Sequence, residues 1–318
     1  MPVRVAVLDD YQGIALASGR WESLGDAVRV EAFADHVAGD AALAARLAPF
    51  EVVVAMRERT PFTAERLAAL PALRLLITTG MANPSIDMAA ARKRGIVVCG
   101  TASLPSPTAE LAWGLILALL RHIPAEDRAM RQGGWQHTIG PELAGRTLGL
   151  LGLGRLGRRV AAVGRAFEMP GIAWSRNLRA EDALAAGVEA VAKDELFARA
   201  DVLSIHTRLS DRTRGLVGAA ELARMRPGAV LINTSRGPIV DEAALLAALA
   251  DGTLAGAGLD VFDEEPLPPD HPLRTAPNTV LTPHLGYVST GTYAVFFRDA
   301  VDDVAAYLRG DPVRVLNG

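Results

Sequence analysis

Short runs of β-branched and other apolar residues alternate with helix-forming stretches rich in Ala, Leu and Arg along the whole chain. This alternation is typical of parallel sheets covered by helices, so we predict an α/β fold throughout. In the first third, the predicted strands are VRVAVLDD, VRVEAFAD, EVVVAM, LRLLITTG and GIVVCGT. The predicted helices between them include DAALAARLA and IDMAAARKRG, and Gly95 ends the second of these. This part therefore predicts one doubly wound unit.

A second series of strands begins inside the segment TLGLLGLGRLGRRV, residues 147–160. The strand at Leu148 is followed by GIAWS, DVLSIH, AVLINTS, GAGLDVF and TVLTPH, with helices such as KDELFARA and DEAALLAALADG between them. Six strands are the number in a full dinucleotide-binding sheet. The stretch GTASLPSPTAE predicts a linker that leads into a long apolar helix. A last helix is predicted over residues 293–309.

Three glycines of the second series, Gly152, Gly154 and Gly157, form a G-x-G-x-x-G motif. The motif alone is weak evidence, because glycine turns between a strand and a helix are common for steric reasons. Here it follows an apolar strand directly and precedes a helix that begins near Arg155, which is the setting of a dinucleotide-binding turn. The helix start would then present its N–H groups to the pyrophosphate. A purely structural corner remains the alternative at this point.

The next strand ends in IAWSRN, where a carboxylate would be expected to bind the adenosine ribose of NAD. Ser175 stands in that place, Arg176 follows it, and no Asp or Glu lies between Glu168 and Glu181. A small hydroxyl beside a guanidinium accommodates a 2′-phosphate, which a carboxylate would repel. We therefore predict that NADP(H) is favoured and that NAD(H) is possible. The alternative is that Arg176 is an ordinary solvated residue.

Three ionisable residues follow predicted strands of the second series. They are Arg236 in NTSRGPIVDE, Glu265 in DVFDEEPL and His284 in TPHLGY. Ligands of open α/β sheets bind at the carboxyl ends of the strands, so these residues are candidates for a catalytic site. Each alone is more simply interpreted as a surface charge or a core histidine. Their joint placement in a sheet with a dinucleotide turn favours a functional role.

The same segments resemble the D-isomer-specific 2-hydroxyacid dehydrogenases, over nearly the whole chain. The resemblance rests on TTGMANPSIDMAAARKRGIVVCGT, TAELAWGLILALLRHI, GRTLGLLGLGRLGRRVA, NTSRGPIVDEAALLAAL, GLDVFDEEPL and TPHLGY. It implies that Arg236, Glu265 and His284 form the catalytic set. It also implies an NAD(P)-linked reduction of a small 2-oxo acid to a D-2-hydroxy acid, similar to that of the glyoxylate and hydroxypyruvate reductases.

The chemistry of these three side chains agrees with that role. Reduction of a 2-oxo acid needs a hydride, a proton for the developing alkoxide and a cation to hold the carboxylate. His284 can supply the proton because imidazole changes charge near neutrality. Glu265 would favour the imidazolium and fix the ring orientation. Arg236 has the planar fork that suits a carboxylate.

The resemblance implies further contacts, some of which remain open. We predict cofactor contacts at Gly152, Gly154, Arg155, Leu156, Gly157, Ser175, Arg176, Thr108, His206, Thr213, Thr234, Ser235, Asp260 and Gly286, with Asp260 on the nicotinamide carboxamide. Substrate contacts are predicted at Arg57, Gly80, Met81, Ala82, Arg236 and His284. The loop TTGMAN departs from the usual family form, and for Arg57 a surface position is an equal alternative.

The resemblance also implies a Rossmann cofactor domain inserted into a flavodoxin-like substrate domain. We place the substrate domain at residues 1–102 and 287–318, and the cofactor domain at residues 103–286. The implied cleft lies between the two domains and closes over the substrate. The family also implies a homodimer, for which residues 110–121 are the predicted contact.

Composition narrows the classes of function. The balance of 33 basic and 36 acidic residues, a net charge of −3, contains no block of like charge, so no nucleic-acid or membrane partner is expected. The apolar stretch LAWGLILALL is too short to span a membrane. A single cysteine, Cys99, and the lack of a leader pattern at the N-terminus predict a cytoplasmic protein. Cys99 is interpreted as a core residue, and no metal site is expected.

Two other functions stay open at this point. An NAD-linked 3-phosphoglycerate dehydrogenase is the alternative within the enzyme class. A dinucleotide-sensing binding protein, similar to some co-repressors of the same superfamily, is the alternative from a different class. The intact set of Arg236, Glu265 and His284 favours an enzyme over a sensor.

Overall fold

The computed structural model describes residues 1–318 and contains two compact α/β units. Unit 1 comprises Met1–Leu104 and Ser289–Gly318, and unit 2 comprises Pro105–Val288. The boundaries proposed from the sequence, after residues 102 and 286, each lie two residues before those of the units. None of the helices is both long and apolar enough to cross a membrane.

Unit 1 contains a five-stranded parallel sheet in the order β2-β1-β3-β4-β5, so every strand predicted in the first third is present. The strands are β1 (Val3–Val7), β2 (Val28–Ala32), β3 (Val52–Ala55), β4 (Leu75–Thr78) and β5 (Val97–Gly100). The central strands β3 and β4 are buried along their whole length, as their continuous apolar sequences VVVA and LLIT predict. The strand order is that of flavodoxin-like sheets.

Four helices connect these strands, and local capping explains where two of them begin. They are α1 (Ala15–Ser18), α2 (Asp40–Leu47), α3 (Ala64–Ala68) and α4 (Met88–Lys93), with a 3-10 helix at Trp21–Ala27. The side chain of Thr63 accepts a hydrogen bond from the Arg66 N–H at the start of α3, and Asp87 does the same for Ala90 at the start of α4. After α4 the chain reverses at Gly95, whose φ is +69°.

Unit 2 contains a seven-stranded parallel sheet in the order β12-β11-β10-β9-β6-β7-β8. The strands are β6 (Leu148–Leu151), β7 (Gly171–Trp174), β8 (Glu189–Ala190), β9 (Val202–Ile205), β10 (Val230–Asn233), β11 (Gly256–Leu259) and β12 (Thr279–Leu281). The six predicted strands are present. The seventh, β8, escaped prediction because two residues are too few to show alternation. With β8, the strand order on either side of β6 is that of a dinucleotide-binding sheet. The order in which the strands are added reverses between β6 and β9, although all strands run parallel.

The helices of unit 2 pack on both faces of this sheet. They are α5 (Ser106–Leu120), α6 (Ile123–Arg131), α7 (Arg155–Ala166), α8 (Ala180–Ala185), α9 (Lys193–Arg199), α10 (Ala219–Leu222) and α11 (Glu242–Ala250), with 3-10 helices at Gly237–Ile239 and Pro272–Thr275. The start of α5 at Ser106 corrects the sequence prediction, which placed this region in a linker. Pro107 is compatible with a helix here, because a first-turn residue needs no intrahelical N–H donor.

The last helix, α12 (Thr290–Leu308), and the residues after it complete unit 1. The terminal segment lies antiparallel to β5, with Cys99 opposite Val315. The Leu316 N–H donates to the Val98 carbonyl at 2.8 Å, and the Gly100 N–H donates to the Arg314 carbonyl at 3.1 Å. The chain thereby covers its own sheet edge.

A buried carboxylate of α12 fastens this terminal segment. Asp303 is fully buried and accepts a hydrogen bond from the Arg314 Nε at 3.0 Å, while a second Arg314 nitrogen donates to the Asp299 carbonyl. Burial raises the pKa of Asp303 from 3.8 to about 7, against the opposing effect of the Arg314 charge. Burial also raises the pKa of the neighbouring Cys99 thiol to about 12, so this core residue stays protonated.

The raised pKa of Asp303 makes the contribution of this residue to the free energy of unfolding depend on pH. Because the folded state holds this proton more tightly than the unfolded chain, the free energy of unfolding is expected to fall as the pH rises from about 4 to about 7. Asp303→Asn removes that titration and should flatten the slope, measured by urea unfolding across this range. Asp311→Asn, at an exposed position after the same helix, is the control. Equal slopes for the wild type and Asp303→Asn would contradict the assignment.

Candidate active site

The three glycines of the turn after β6 differ in their surroundings: two are closely packed, and one is open on the side where a side chain would stand. At Gly152, where φ is +104°, an added Cβ would lie 2.8 Å from the His206 carbonyl carbon, and at Gly157 it would lie 2.3 Å from the Gly152 oxygen. Both glycines are therefore needed for close packing alone. At Gly154 an added Cβ meets nothing within 4 Å, and the backbone has an ordinary extended conformation. Packing therefore does not explain the second glycine, whereas the approach of a ligand does.

The surroundings of Gly154 suit an anion. Gly154 is the N-cap of α7, no side chain caps the helix, and its first turn contains no acidic residue. The N–H groups at this helix start therefore face open space beside the exposed Arg155 and the half-buried Leu156. Two strands away in the same sheet, directly after β10, the hydroxyl oxygen of Thr234 is buried without a hydrogen-bond partner. These features fit a bound dinucleotide.

The end of β7 lies next to this turn, since the Trp174 carbonyl accepts a hydrogen bond from the Gly152 N–H at 2.8 Å. Ser175 is half-buried, and Arg176 is exposed and forms no ion pair. Arg179, by contrast, is held within 2.9 Å of both Glu181 and Asp182. Arg176 is thus the guanidinium at this strand end that a ligand can engage.

Other predicted cofactor residues have partners within the protein. Burial lowers the pKa of His206 to about 4, and its Nε2 lies 2.8 Å from the Ser204 hydroxyl. Thr213 donates to the Arg208 carbonyl at 2.6 Å. The Ser235 hydroxyl donates to the carbonyl of Thr207. These contacts fix the loops that border the glycine turn, and contacts of these residues with a cofactor remain predictions.

Two members of the predicted catalytic set lie in direct contact. The Nδ1 of His284 lies 2.6 Å from Oε2 of Glu265. The other carboxylate oxygen of Glu265 accepts a hydrogen bond from the Phe262 N–H at 2.9 Å, so the carboxylate cannot turn away from the ring. Since Nδ1 is occupied, Nε2 is the imidazole nitrogen available for proton exchange.

The loop that carries His284 is held by the buried Asp260. Its Oδ1 accepts hydrogen bonds from the Leu285 N–H at 2.7 Å and the Thr282 hydroxyl at 2.6 Å, and its Oδ2 accepts one from the Gly286 N–H at 2.8 Å. Burial raises the pKa of Asp260, although the bonds from this loop oppose that shift. The predicted carboxamide contact of Asp260 remains a prediction; its role as the anchor of this loop was not anticipated.

Asp260 and Thr108 fix the loop on either side of the histidine. His284 has a φ of +53°, and its N–H donates to the Asp260 carbonyl at 2.8 Å. The Thr108 hydroxyl donates to the Gly286 carbonyl at 2.7 Å. A non-glycine residue with this φ is strained and persists only where its surroundings hold it.

Arg236 is positioned by two neighbours that sequence reasoning did not single out. The Asn233 side chain accepts from the Ser235 N–H and donates to the Arg236 carbonyl, each at 3.0 Å. An added Cβ at Gly237 would lie 2.1 Å from the Phe262 carbonyl carbon, so the loop after Arg236 lies directly on the loop that leads to Glu265. Both signals stand in the segment NTSRG, residues 233–237: its Asn shapes the turn, and its Gly permits this contact.

The predicted substrate residues of unit 1 also meet. An added Cβ at Gly80, where φ is +100°, would lie 1.8 Å from an Arg57 guanidinium nitrogen. Arg57 donates from that nitrogen to the Thr79 carbonyl at 3.0 Å, which holds it over the loop. Met81 and Ala82 follow as exposed residues. Arg57 therefore lies against the TTGMAN loop, and its contact with a substrate remains a prediction.

Comparison with known proteins agrees with this arrangement. The family model described as "D-isomer specific 2-hydroxyacid dehydrogenase, NAD binding domain" matches residues 113–286, more than half of the chain. The chain belongs to this dehydrogenase family. Membership makes it a nicotinamide-dinucleotide-linked oxidoreductase that acts on the CH–OH group of hydroxy acids.

The similar proteins are named either as glyoxylate reductases or as phosphoglycerate dehydrogenases and oxidoreductases. A glyoxylate reductase of Aeropyrum pernix is 40% identical over 77% of this chain and 76% of its own. A D-3-phosphoglycerate dehydrogenase of Archaeoglobus fulgidus is 37% identical over 83% of this chain and 51% of its own. The crystal structure of a phosphoglycerate oxidoreductase from Vibrio cholerae is 38% identical, with a TM-score of 0.92 over 97% of this chain and 99% of that one.

The two kinds of glycine predict opposite effects of one added methyl group. In Gly154→Ala the apo protein should keep its thermal stability, while the Kd for NAD(P)H should rise about 10-fold, because a hydrogen bond to a charged group contributes about 1.5–3 kcal/mol. Gly157→Ala is the matched variant and should lower the unfolding temperature, because its methyl group collides with backbone. Fluorescence titration and thermal unfolding measure the two effects. Unchanged cofactor affinity in Gly154→Ala would show that the turn is only a structural corner.

Proposed function

We propose that this dehydrogenase reduces glyoxylate, or a 2-oxo acid of similar size, to the corresponding 2-hydroxy acid. The observation that carries the proposal is the contact of 2.6 Å between His284 and Glu265, on a loop fastened by Asp260. This pair supplies an oriented proton donor in the unit that contains the dinucleotide turn. The relative named glyoxylate reductase supports the choice of substrate.

The bound nicotinamide supplies the hydride. Protonated His284 hydrogen-bonds the substrate carbonyl through Nε2 and gives up that proton as the oxygen becomes an alkoxide. Glu265 contacts Nδ1 and holds the ring in a fixed orientation before the transfer. In the oxidative direction neutral His284 removes the hydroxyl proton instead, so one dyad serves both directions.

Arg236 holds the substrate carboxylate. Its guanidinium forms a planar fork that binds a carboxylate through two parallel hydrogen bonds. The turn made by Asn233 and the contact of Gly237 with Phe262 fix the backbone that carries this side chain. Binding the carboxylate on a rigid loop limits the orientations in which the 2-oxo carbon is presented.

A panel of reactions tests the substrate class. Purified enzyme is given glyoxylate, hydroxypyruvate, pyruvate and 3-phosphohydroxypyruvate with NADPH or NADH, and oxidation of the cofactor is followed by absorbance. We expect the highest kcat/KM with glyoxylate or hydroxypyruvate. His284→Asn should lower kcat by about 10²–10⁴-fold and leave the Kd for the cofactor unchanged, because it removes only acid–base catalysis.

The matched control for that variant is His122→Asn. His122 also has a positive φ, of +51°, and lies at the start of α6 outside the proposed site. It should retain the wild-type kcat. The proposal fails if no 2-oxo acid of the panel is reduced, or if His284→Asn turns over as fast as His122→Asn.

The second candidate substrate is 3-phosphoglycerate, with its oxidation product 3-phosphohydroxypyruvate. The resemblance to the Vibrio cholerae phosphoglycerate oxidoreductase over almost the whole of both chains favours it. Such a substrate carries a phosphate besides its carboxylate and would need a second cation. In the panel, a kcat/KM for 3-phosphohydroxypyruvate above that for glyoxylate would select this candidate.

NADPH is the proposed cofactor of choice. Ser175 and the exposed Arg176 stand where a carboxylate would exclude a 2′-phosphate, and the nearby acidic residues Glu181 and Asp182 are already paired with Arg179. A guanidinium without a protein partner can bind the extra phosphate without breaking an existing ion pair.

Arg176→Ala should raise the KM for NADPH about 10- to 100-fold, the range of a lost charge-assisted hydrogen bond, and leave the KM for NADH unchanged. Arg179→Ala removes an equal charge from the same strand end and should change neither constant much, since its guanidinium is engaged by Glu181 and Asp182. Steady-state kinetics with both cofactors gives all four constants. A wild-type enzyme that prefers NADH would refute the assignment.

The enzyme is also proposed to be a homodimer. Most apolar side chains of α5 are buried within unit 2, but α6 has no buried residue. Ile123, Met130, Trp135 and Ile139 are each more than half exposed in α6 and the segment after it. A second copy would cover these side chains, and light scattering should then give twice the chain mass of 33.5 kDa.

A further inference from the structure

One aromatic ring, that of Tyr287, contacts the proposed acid/base histidine. The ring centroids of His284 and Tyr287 are 5.4 Å apart, and the ring planes meet at 71°. This edge-to-face arrangement is one that aromatic pairs prefer. The sequence TPHLGY places the two residues on one loop but does not reveal that their rings meet.

The other contacts of His284 leave one motion unrestrained. The bond from Nδ1 to Glu265 fixes the position of one ring atom, and the backbone bonds to Asp260 fix Cα. A small rotation about the Cβ–Cγ bond, within the tolerance of the bond to Glu265, still tilts the imidazole. Such a tilt moves Nε2, the atom that exchanges the proton.

Tyr287 lies where it can block that tilt, and its own backbone is held on both sides. The Gly286 N–H donates to Asp260 and its carbonyl accepts from Thr108, at 2.8 and 2.7 Å. Beyond the tyrosine, the Val288 N–H donates to the Leu285 carbonyl at 2.8 Å, which closes a turn around it. These bonds fix the backbone that carries the ring, and the centroid distance of 5.4 Å places the ring against the imidazole.

We propose that Tyr287 is a positioning residue for the reaction: its ring restrains the tilt of His284 and so aims Nε2 at the substrate carbonyl. The inference rests on the proposed function, because it assigns His284 as the proton donor. The restraint comes from the face and edge of the ring, and the phenol hydroxyl is not required. A phenylalanine should therefore replace the tyrosine, whereas an aliphatic side chain should not.

The kinetic test compares Tyr287→Phe and Tyr287→Leu with the wild type, on the best substrate of the panel. In Tyr287→Leu, kcat should fall about 10-fold, because an error of about 1 Å in the position of a reacting group can cost up to about 10²-fold in rate. The KM for substrate and the Kd for NADPH should stay within twofold, and Tyr287→Phe should keep most of the wild-type kcat. Tyr307→Leu, in α12, is the matched control.

A second readout needs no substrate. The imidazole C–H signals of His284 are assigned by their absence from the proton NMR spectrum of His284→Asn. They should be shifted by the ring current of residue 287 in the wild type and in Tyr287→Phe, and should move in Tyr287→Leu. Circular dichroism and the unfolding temperature establish that each variant is folded.

The outcomes separate the two proposals. If the wild type reduces no 2-oxo acid, the proposed function fails whatever the NMR spectra show. If the wild type is active and Tyr287→Leu keeps its kcat, the positioning role is overturned while the function stands. A loss in Tyr287→Phe equal to that in Tyr287→Leu would also overturn it, because the hydroxyl would then be the group that acts.

Discussion

The loop that carries the proposed acid/base histidine of this dehydrogenase depends on one buried carboxylate. An ionised carboxylate away from water is costly unless several donors satisfy it, and Asp260 obtains its donors from Thr282, Leu285 and Gly286. The same residues that neutralise this cost are those that must hold a strained histidine between them. If His284 is the acid/base residue as proposed, stability and catalysis are coupled at this point, since the loop cannot move away without leaving Asp260 unsatisfied.

The contact between His284 and Glu265 has a fixed orientation because each of the two residues is also held by a second hydrogen bond. Glu265 is tied to its own backbone through Phe262, and His284 is tied to Asp260, so the short contact between them joins two fixed points. A side chain restrained in this way needs little reorganisation when charge develops, which is the condition for effective proton transfer. Gly237 extends the same rigidity to the loop of Arg236.

Much of this arrangement follows from the sequence. The apolar runs along the chain predict every strand except β8, because burial on both faces of a parallel sheet requires continuous apolar segments. Glu265 and His284 both follow strands of one sheet, which makes them site candidates, and the resemblance to the dehydrogenase family implies that they act together; the structure places them 2.6 Å apart. Strand β8 could not be predicted, since a two-residue strand is set by its neighbours and not by its own pattern. The same holds for the contact of Tyr287 with His284, which depends on how the turn closes.

The antiparallel segment after α12 has a consequence for the solution behaviour of unit 1. A parallel sheet ends in strands whose N–H and C=O groups are open to any other extended chain, and such edges promote aggregation. Here Leu316 and Arg314 occupy the groups of β5, and Arg314 is in turn held by a carboxylate inside the unit. The segment after α12 therefore protects the β5 edge from association with the edge of another sheet. Its removal would expose the β5 edge as a template for intermolecular β-pairing.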